Sequence, residues 1–182
     1  MGLEVDCRGI DELVDVDQIV TANYLVTDPE GLFRTAGNVD SGPTRDIIEG
    51  LQQRFESFEV SRSEDYFSIR NRGVLESLVE TRLKYECGEN HDLIHLTGFI
   101  MKVLAENQVF GDGNKRTAYL AGTIFLVKYQ VQVLGMENAV IPELDEELVN
   151  ILQDLAVQDT GLEELESFLR SVERDIVNLS RP

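Results

Sequence analysis

The amino-acid sequence predicts an all-α fold, a helical bundle around a central antiparallel helix pair. Two runs, from Asp92 to Asn107 and from Asn114 to Tyr129, are apolar around most of a helical surface. Helices of this kind lie inside a bundle rather than on its surface. A short polar turn joins the two runs, which is typical of antiparallel neighbours. At 182 residues with 42% hydrophobic content, the chain suits one domain with a single core.

Three helices are predicted before the pair, because apolar residues recur at helical spacing there: 15–26, 43–58 and 73–85. Pro43 is a favourable first residue for the second of them. The segments between them are rich in Gly, Pro, Asn, Asp and charged residues, which are typical of connections. They are predicted as an extended lead-in at 1–14, a loop or small hairpin at 31–42, a loop with a short extended piece at 59–72, and a polar loop at 86–90.

Two further helices are predicted after the pair. The first follows Pro142 and Asp145 and runs to about residue 156, and the second ends near Val177. Thr160 and Glu163 have the spacing of a capping box at the start of this last helix. A brief extended segment is predicted at 131–134, directly after the pair.

The charge of the chain limits its partners. Its formal net charge is −18, from 34 acidic and 16 basic residues, of which four are lysines. A negative field of this size repels a phosphate backbone, so a general role in binding DNA or RNA is excluded. Many acids with few lysines are typical of cytoplasmic proteins from salt-loving organisms, and a halophilic protein is one interpretation. An ordinary acidic protein is the other.

The cysteines and the apolar stretches bear on the compartment. Cys7 and Cys87 show neither a metal-binding spacing nor a disulfide framework. Two unpaired thiols in a reducing, cytoplasmic compartment are the simpler interpretation. The charged first residues are not typical of a signal peptide, and every apolar stretch is interrupted within a few residues. The sequence therefore predicts no membrane span.

The polar turn that joins the pair has the composition of a phosphate-binding loop. It contains Gly111 and Gly113, which let the backbone approach an anion closely. The helix that follows offers free N–H groups and the positive end of its dipole. Lys115 and Arg116 add positive charge, and Asp112 is an oxygen ligand of the kind that Mg2+ shares with phosphates. A Gly-rich turn with solvated charges is the alternative.

The segment from Phe110 to Ala118 resembles the signature of the Fic/Doc (Fido) family. The Doc (death-on-curing) branch, written H-x-F-x-D-[GA]-N-K-R-T-A, is the closer match. Fic proteins, written H-x-F-x-[DE]-G-N-G-R-x-x-R, have a glycine at the position of Lys115 and an arginine at that of Tyr119. Upstream, residues 69–77 resemble the Doc segment G-[IL]-R-D-x-G-L-L-E-S.

The resemblance covers 68–134 and implies a single Fido domain over 1–182. Within that domain, 68–134 is the core, and 1–60 and 142–178 are helical extensions. Family members are all-α and transfer part of a nucleoside triphosphate to a protein side chain. Most Fic proteins move AMP, whereas Doc toxins phosphorylate a threonine of elongation factor Tu. The resemblance implies ATP and Mg2+ as cofactors and a protein substrate such as elongation factor Tu or an equivalent.

The resemblance also assigns roles within the loop. Phe110 would anchor the loop in the core, and Asp112 would position Mg2+. Backbone and side chains of the loop would hold the nucleotide phosphates: Gly111, Gly113, Asn114, Lys115 and Arg116. Lys115 and Arg116 would in addition stabilise charge on the transferred group, the usual electrostatic route in phosphoryl transfer.

A target protein and an inhibitor are the partners that the resemblance implies. A small β-hairpin flap would dock the target by strand addition, and its residues here are Phe67, Ser68, Ile69 and Arg70. The family's inhibitory motif, [ST]-x-x-x-E-[GN], has no convincing copy in the chain. A Doc-like toxin would then be restrained by a separate antitoxin chain, as part of a toxin–antitoxin system.

Gln108 stands where the family has its catalytic histidine. The histidine takes the proton of the attacking hydroxyl, whereas a glutamine amide can orient a hydroxyl but cannot carry its proton at neutral pH. General-base catalysis contributes about 10^2- to 10^4-fold, so its loss leaves weak activity or none. His95 lies 13 positions earlier on the same helix, or about 20 Å away. His91 is further still, and both are expected at the surface or at the helix start.

Three hypotheses remain open at this point. The chain is a Doc-like transferase that moves phosphate or AMP, weakened by Gln108. Alternatively, it is a pseudoenzyme that binds a nucleotide or a partner protein without catalysis. The third hypothesis is a structural or interaction domain whose loop is a relic.

Overall fold

A computed structural model describes residues 2–27 and 69–180 of the chain. Helices account for most of these residues, and the predicted all-α fold is confirmed. The helix predicted at 43–58, the loop at 31–42 and most of the segment 59–72 lie outside the described residues. Extended pairing within the described part consists of isolated bridges between Glu4 and Asp92 and between Ile69 and Phe110.

Seven labelled helices follow the chain order through the described residues. They are α1 (Ile10–Leu13), α2 (Val16–Thr27), α3 (72–89), α4 (Leu93–Glu106), α5 (Asn114–Lys128), α6 (Glu146–Val157) and α7 (Leu162–Leu179). A short 3-10 turn, Cys7–Gly9, precedes α1. The helix α3 is continuous through a π-helical stretch at Leu78–Arg82, and a second π-helical stretch, Tyr129–Val133, extends α5. The predictions of α2 and α4 to α7 are confirmed within a few residues.

The helices α4 and α5 form much of the described core. Most of α4 is buried, and it packs against α5, α6 and α7, while α5 also contacts α2. Gly122 lets α5 approach α4 closely, because a Cβ atom there would lie 2.5 Å from Met101. The antiparallel orientation that the sequence predicts for α4 and α5 stays a prediction.

Two local predictions are wrong because tertiary contacts extend helices. The polar loop expected at 86–90 is helical to Glu89, because Cys87 is fully buried against the N-terminal segment. The extended piece expected at 131–134 is π-helical to Val133. There the buried Gln130 side chain donates to the carbonyl oxygen of Val140 at 2.7 Å and accepts from its N–H at 2.7 Å.

The N-terminal segment is not the simple extended lead-in that the sequence predicts. It contains the 3-10 turn and α1, and it is fixed across the start of α4. The N–H of Val5 donates to the carbonyl of His91, and that of Leu93 donates to the carbonyl of Leu3, both at 2.8 Å. The hydroxyl of Tyr129 donates to the carbonyl of Glu4 at 2.7 Å.

The predicted capping box at the last helix is not formed. Gly161 is the N-cap residue of α7 and makes no side-chain capping bond. Thr160 lies outside the helix, and its hydroxyl donates to the carboxylate of Glu164. The hydroxyl therefore finds a carboxylate partner rather than the backbone N–H that a capping box requires. At α4 and α6, by contrast, Asp92 and Asp145 do cap the helix, accepting from backbone N–H groups at 2.9 Å.

The expectation of two unpaired thiols is also wrong. Cys7 and Cys87 form a disulfide with a Cα–Cα distance of 5.7 Å across a sequence separation of 80 residues. A pair so distant in sequence leaves no local spacing pattern, which is why the sequence did not indicate it. The reducing compartment inferred from free thiols loses this support. Among the described helices, none combines the length and apolar character that crossing a membrane requires.

Candidate phosphate-binding loop

The loop between α4 and α5 contains two residues with a left-handed backbone conformation, where the chain changes direction. Gln108 has φ 44° and lies exposed directly after Asn107, the C-cap of α4. Gly113 has φ 74° and is the N-cap of α5. A Cβ atom at Gly113 would lie 2.7 Å from Cγ2 of Thr27. Both backbone conformation and space therefore require glycine at this position.

Asn114 closes the loop on itself. Its Oδ1 accepts from the N–H of Phe110 at 2.8 Å, and its Nδ2 donates to the carbonyl of Phe110 at 2.9 Å. The Phe110 side chain is 2% exposed, so it anchors the hydrogen-bonded loop between Phe110 and Asn114 in the core. The side chain expected to hold a phosphate oxygen thus fixes the loop backbone in this structure.

The helix α2 supports the loop from the side. The buried amide of Asn23 donates to the carbonyl of Asp112 and to the hydroxyl oxygen of Thr117, both at 2.9 Å. Sequence reasoning missed Asn23, although a polar residue beside the apolar Ala22 and one turn before Val26 was a usable signal. Asn23 therefore links α2 to both the loop and the first turn of α5.

Asp112 and Arg116 are bound to each other. Nη2 of Arg116 lies 3.2 Å from Oδ2 of Asp112, and Nη1 donates to the carbonyl of Val26 at 2.9 Å. The other carboxylate oxygen of Asp112 accepts from the N–H of Gly113 at 2.6 Å. The side chains are 32% and 15% exposed for Asp112 and Arg116, so both remain accessible to solvent.

The structure brings part of the predicted phosphate site together by direct contacts. Asp112, Gly113 and Arg116 form one connected group. Gly111 and Lys115 are half-buried in the loop and in the first turn of α5. Their roles toward phosphate stay predictions, as does that of Gln108.

The described part of the predicted flap lies against this loop. Ile69 forms an antiparallel bridge with Phe110, and the N–H groups of Arg70 and Asn71 donate to the carbonyl of Val109 at 2.8 and 3.1 Å. The segment 69–71 thus runs beside the loop, with Arg70 exposed. Phe67 and Ser68 lie outside the described residues.

His95 lies in the first turn of α4, as expected, but its side chain is not on the open surface. Its ring nitrogens lie 2.7 Å from carboxylate oxygens of Glu86 and Glu166, and the side chain is 13% exposed. Desolvation lowers the pKa of His95, but the two carboxylates outweigh it, and the net pKa is raised. A histidine whose two ring nitrogens are both occupied by carboxylates is a poor substitute for the missing base.

A separate cavity of about 500 Å³ lies between α6, α7 and the segment before α6. Its lining includes four carboxylates and the apolar side chain of Phe168: Glu143, Asp145, Glu147 and Asp175 carry the charge. Such a lining repels phosphate groups. The loop before α5 is therefore the better candidate for an anion.

No family model, curated protein or solved structure matches this chain. The membership of the Fic/Doc family therefore stays a prediction. It rests on the residues at 69–77 and 110–118 that carry the resemblance.

Proposed function

We propose that the loop between α4 and α5 binds the phosphates of ATP with Mg2+, in a Doc-like protein that transfers phosphate or AMP to a protein hydroxyl. The observation that supports this most is the left-handed Gly113 at the N-terminus of the 15-residue α5. Gly113 has no side chain with which to cap α5, and the positive end of a helix dipole favours an anion at this position. Lys115 and Arg116 lie in the same first turn.

The donor set of the loop fits a nucleotide with a hard divalent cation. Asp112 supplies carboxylate oxygens, the ligands that Mg2+ prefers. In the structure, Arg116 pairs with this carboxylate at 3.2 Å. Asp112 would hold the metal ion, and Arg116 would bind a phosphate. Mg2+ would supply positive charge at the phosphates, while Asn23 and Asn114 hold the loop in place.

The segment 69–71 supports a protein target. Because it is hydrogen-bonded to the loop through Val109 and Phe110, a chain that binds beside Ile69 and Arg70 would reach the phosphate site. Addition of a strand at such an edge is a known way to bind an extended peptide. The target would be a protein with a reactive hydroxyl, and the Fic/Doc resemblance implies elongation factor Tu or an equivalent. An antitoxin chain would compete with the target for this site.

A second function, nucleotide or partner binding without catalysis, is favoured by Gln108. The residue lies at the exposed start of the loop and has no basic group to offer. His95, the histidine on the same helix, is held between two carboxylates. Transfer by the natural sequence is therefore expected to be weak or absent, while binding is retained.

Labelled ATP separates the two functions. We would incubate the chain and its Gln108→His variant with a cell lysate and ATP labelled at the α or γ phosphate. A labelled protein band with the variant supports the transferase, and the label that is carried over distinguishes AMP from phosphate. Gln132→His, at an exposed site on the extension of α5, is the matched control and should behave as the natural chain does.

The outcomes distinguish the proposals clearly. ATP binding without labelling, in the natural chain and in Gln108→His, supports the pseudoenzyme. The absence of ATP binding in both would contradict both proposals and leave the structural domain.

A further inference from the structure

We propose that reduction of the disulfide turns Cys7, Cys87 and His91 into a zinc site. The two Sγ atoms and one imidazole nitrogen all lie within 4.8 Å of one another. Nδ1 of His91 is 3.1 Å from Sγ of Cys7. Two thiolates and an imidazole are a ligand set that Zn2+ prefers. The proposal does not depend on nucleotide binding.

The ligands come from two segments that meet here. Cys87 lies in the last turn of α3, and His91 follows it by four residues in the connection to α4. Cys7 begins the 3-10 turn of the N-terminal segment. Cys87 is buried, Cys7 is half-buried and His91 is exposed, so solvent reaches the site from one side. This exposure gives a metal ion an entry path.

Contacts other than the disulfide hold the N-terminal segment in place. Backbone hydrogen bonds join Val5 to His91 and Leu93 to Leu3, so the N-terminal segment is held next to the connection before α4. Lys84 on α3 also binds Asp11 at 2.9 Å. Cys7 therefore stays close to the other two ligands when the disulfide is reduced.

The chemistry balances with a thiol or phosphine reductant. The reductant gives two electrons, the S–S bond breaks, and each sulfur takes up one proton. Zn2+ then displaces both thiol protons and bonds to the two thiolates and to the lone pair of neutral Nδ1. Tetrahedral bonds of about 2.3 Å to sulfur place the two Sγ atoms roughly 3.8 Å apart. The Cα–Cα distance of 5.7 Å requires modest side-chain rotation rather than a large backbone movement.

The site has three protein ligands, so water would complete the tetrahedron. Disulfide and metal exclude each other, because both use the same pair of sulfurs. Each of them nevertheless ties the N-terminal segment to α3. The fold would thus keep this connection in either redox condition, by a covalent bond or by a metal ion.

Co2+ is the probe, because its bonds to thiolates give strong absorption bands. We would titrate the full chain with Co2+ after reduction by a phosphine, and again in its oxidised form. The reduced chain should bind one equivalent with thiolate-to-cobalt absorption that Zn2+ abolishes, and the oxidised chain should show none. Cys7→Ser should remove the absorption, and His91→Gln should weaken affinity at least about tenfold, since even indirect ligand partners contribute that much.

His95→Gln is the matched control, since it removes the other histidine of the chain. Its cobalt binding should equal that of the natural chain, with folding of each variant checked by circular dichroism. Alkylation of the reduced natural chain gives a second test without substitution, because Zn2+ should slow the reaction of both cysteines. The proposal would be overturned if the reduced chain showed no thiolate-to-cobalt absorption and Zn2+ did not slow alkylation. It would also be overturned if the absorption were unaffected by both Cys7→Ser and His91→Gln.

Discussion

Arg116 binds the candidate loop and the end of α2 at the same time. One guanidinium nitrogen lies 3.2 Å from Asp112, and another donates to the carbonyl of Val26 at 2.9 Å. The residue that we expect to bind phosphate is thus also a structural connection of the loop. Substitutions here must be judged by stability and by nucleotide binding together.

Arg116→Ala should lower both stability and ATP affinity. The substitution leaves the Val26 carbonyl and the Asp112 carboxylate without this donor, and hydrogen bonds to charged groups contribute about 1.5–3 kcal/mol. Chemical denaturation measures the stability, and calorimetric titration measures ATP binding. Arg174→Ala, at an exposed position on α7, should change stability by less than about 0.5 kcal/mol. Unchanged ATP affinity in Arg116→Ala would contradict its proposed role.

Asn23→Ala should disturb the loop from outside the motif. It leaves two acceptors, on Asp112 and on Thr117, without their donor. The expected loss of stability is about 1–3 kcal/mol, the usual cost of unsatisfied buried polar groups. ATP affinity should fall with it, because Asn23 fixes the backbone at Asp112. Asn150→Ala, at an exposed site on α6, is the control for both measurements. Equal values for the two variants would argue against support of the loop by α2.

Gly113→Ala and Gly88→Ala should act in opposite directions. Gly113 has φ 74° and no room for a Cβ atom, so alanine should cost at least about 1 kcal/mol. Gly88 lies in α3 with open space around it, so alanine should stabilise by up to about 1 kcal/mol. Thermal and chemical unfolding of the two variants check the signs. A stable Gly113→Ala protein would show that the loop does not require the left-handed conformation.

The contribution of His95 to stability should depend on pH. The carboxylates of Glu86 and Glu166 raise the pKa of His95 in the folded protein against the opposing desolvation. Its stabilisation is therefore fully present below the unfolded value of about 6.5 and is lost as pH rises through the raised folded pKa. Unfolding free energies at a series of pH values, for the oxidised natural chain and for His95→Gln, measure this difference. A difference that does not shrink as pH rises would contradict the charged histidine.

Local patterns in the sequence were sufficient for much of the described fold. The helices α2 and α4 to α7 follow from apolar spacing, and Asp92 was correctly expected to cap α4. Such signals lie within a few residues of each other. The resemblance of 110–118 also pointed to the loop in which Phe110 is buried.

Contacts between distant segments could not be predicted in this way. Cys7 and Cys87 are 80 residues apart, Asn23 and Thr117 are 94 apart, and His95 and Glu166 are 71 apart. No periodicity relates such pairs, and each depends on how the helices pack. Asp112 and Arg116 have the i,i+4 spacing of a helical ion pair, so the sequence did contain a signal for their contact. The phosphate interpretation instead treated both side chains as available to a ligand.

The most direct test of the proposed phosphate loop is calorimetric titration of ATP, with and without Mg2+, into the natural chain and into Asp112→Asn. The natural chain should bind ATP saturably and more tightly with Mg2+, and Asp112→Asn should lose that dependence on the metal ion. Gln108→His should leave the affinity close to that of the natural chain, because the family's histidine at this position acts in catalysis rather than in nucleotide binding. A natural chain that does not bind ATP, or an Asp112→Asn variant with the same response to Mg2+, would contradict the proposed phosphate site.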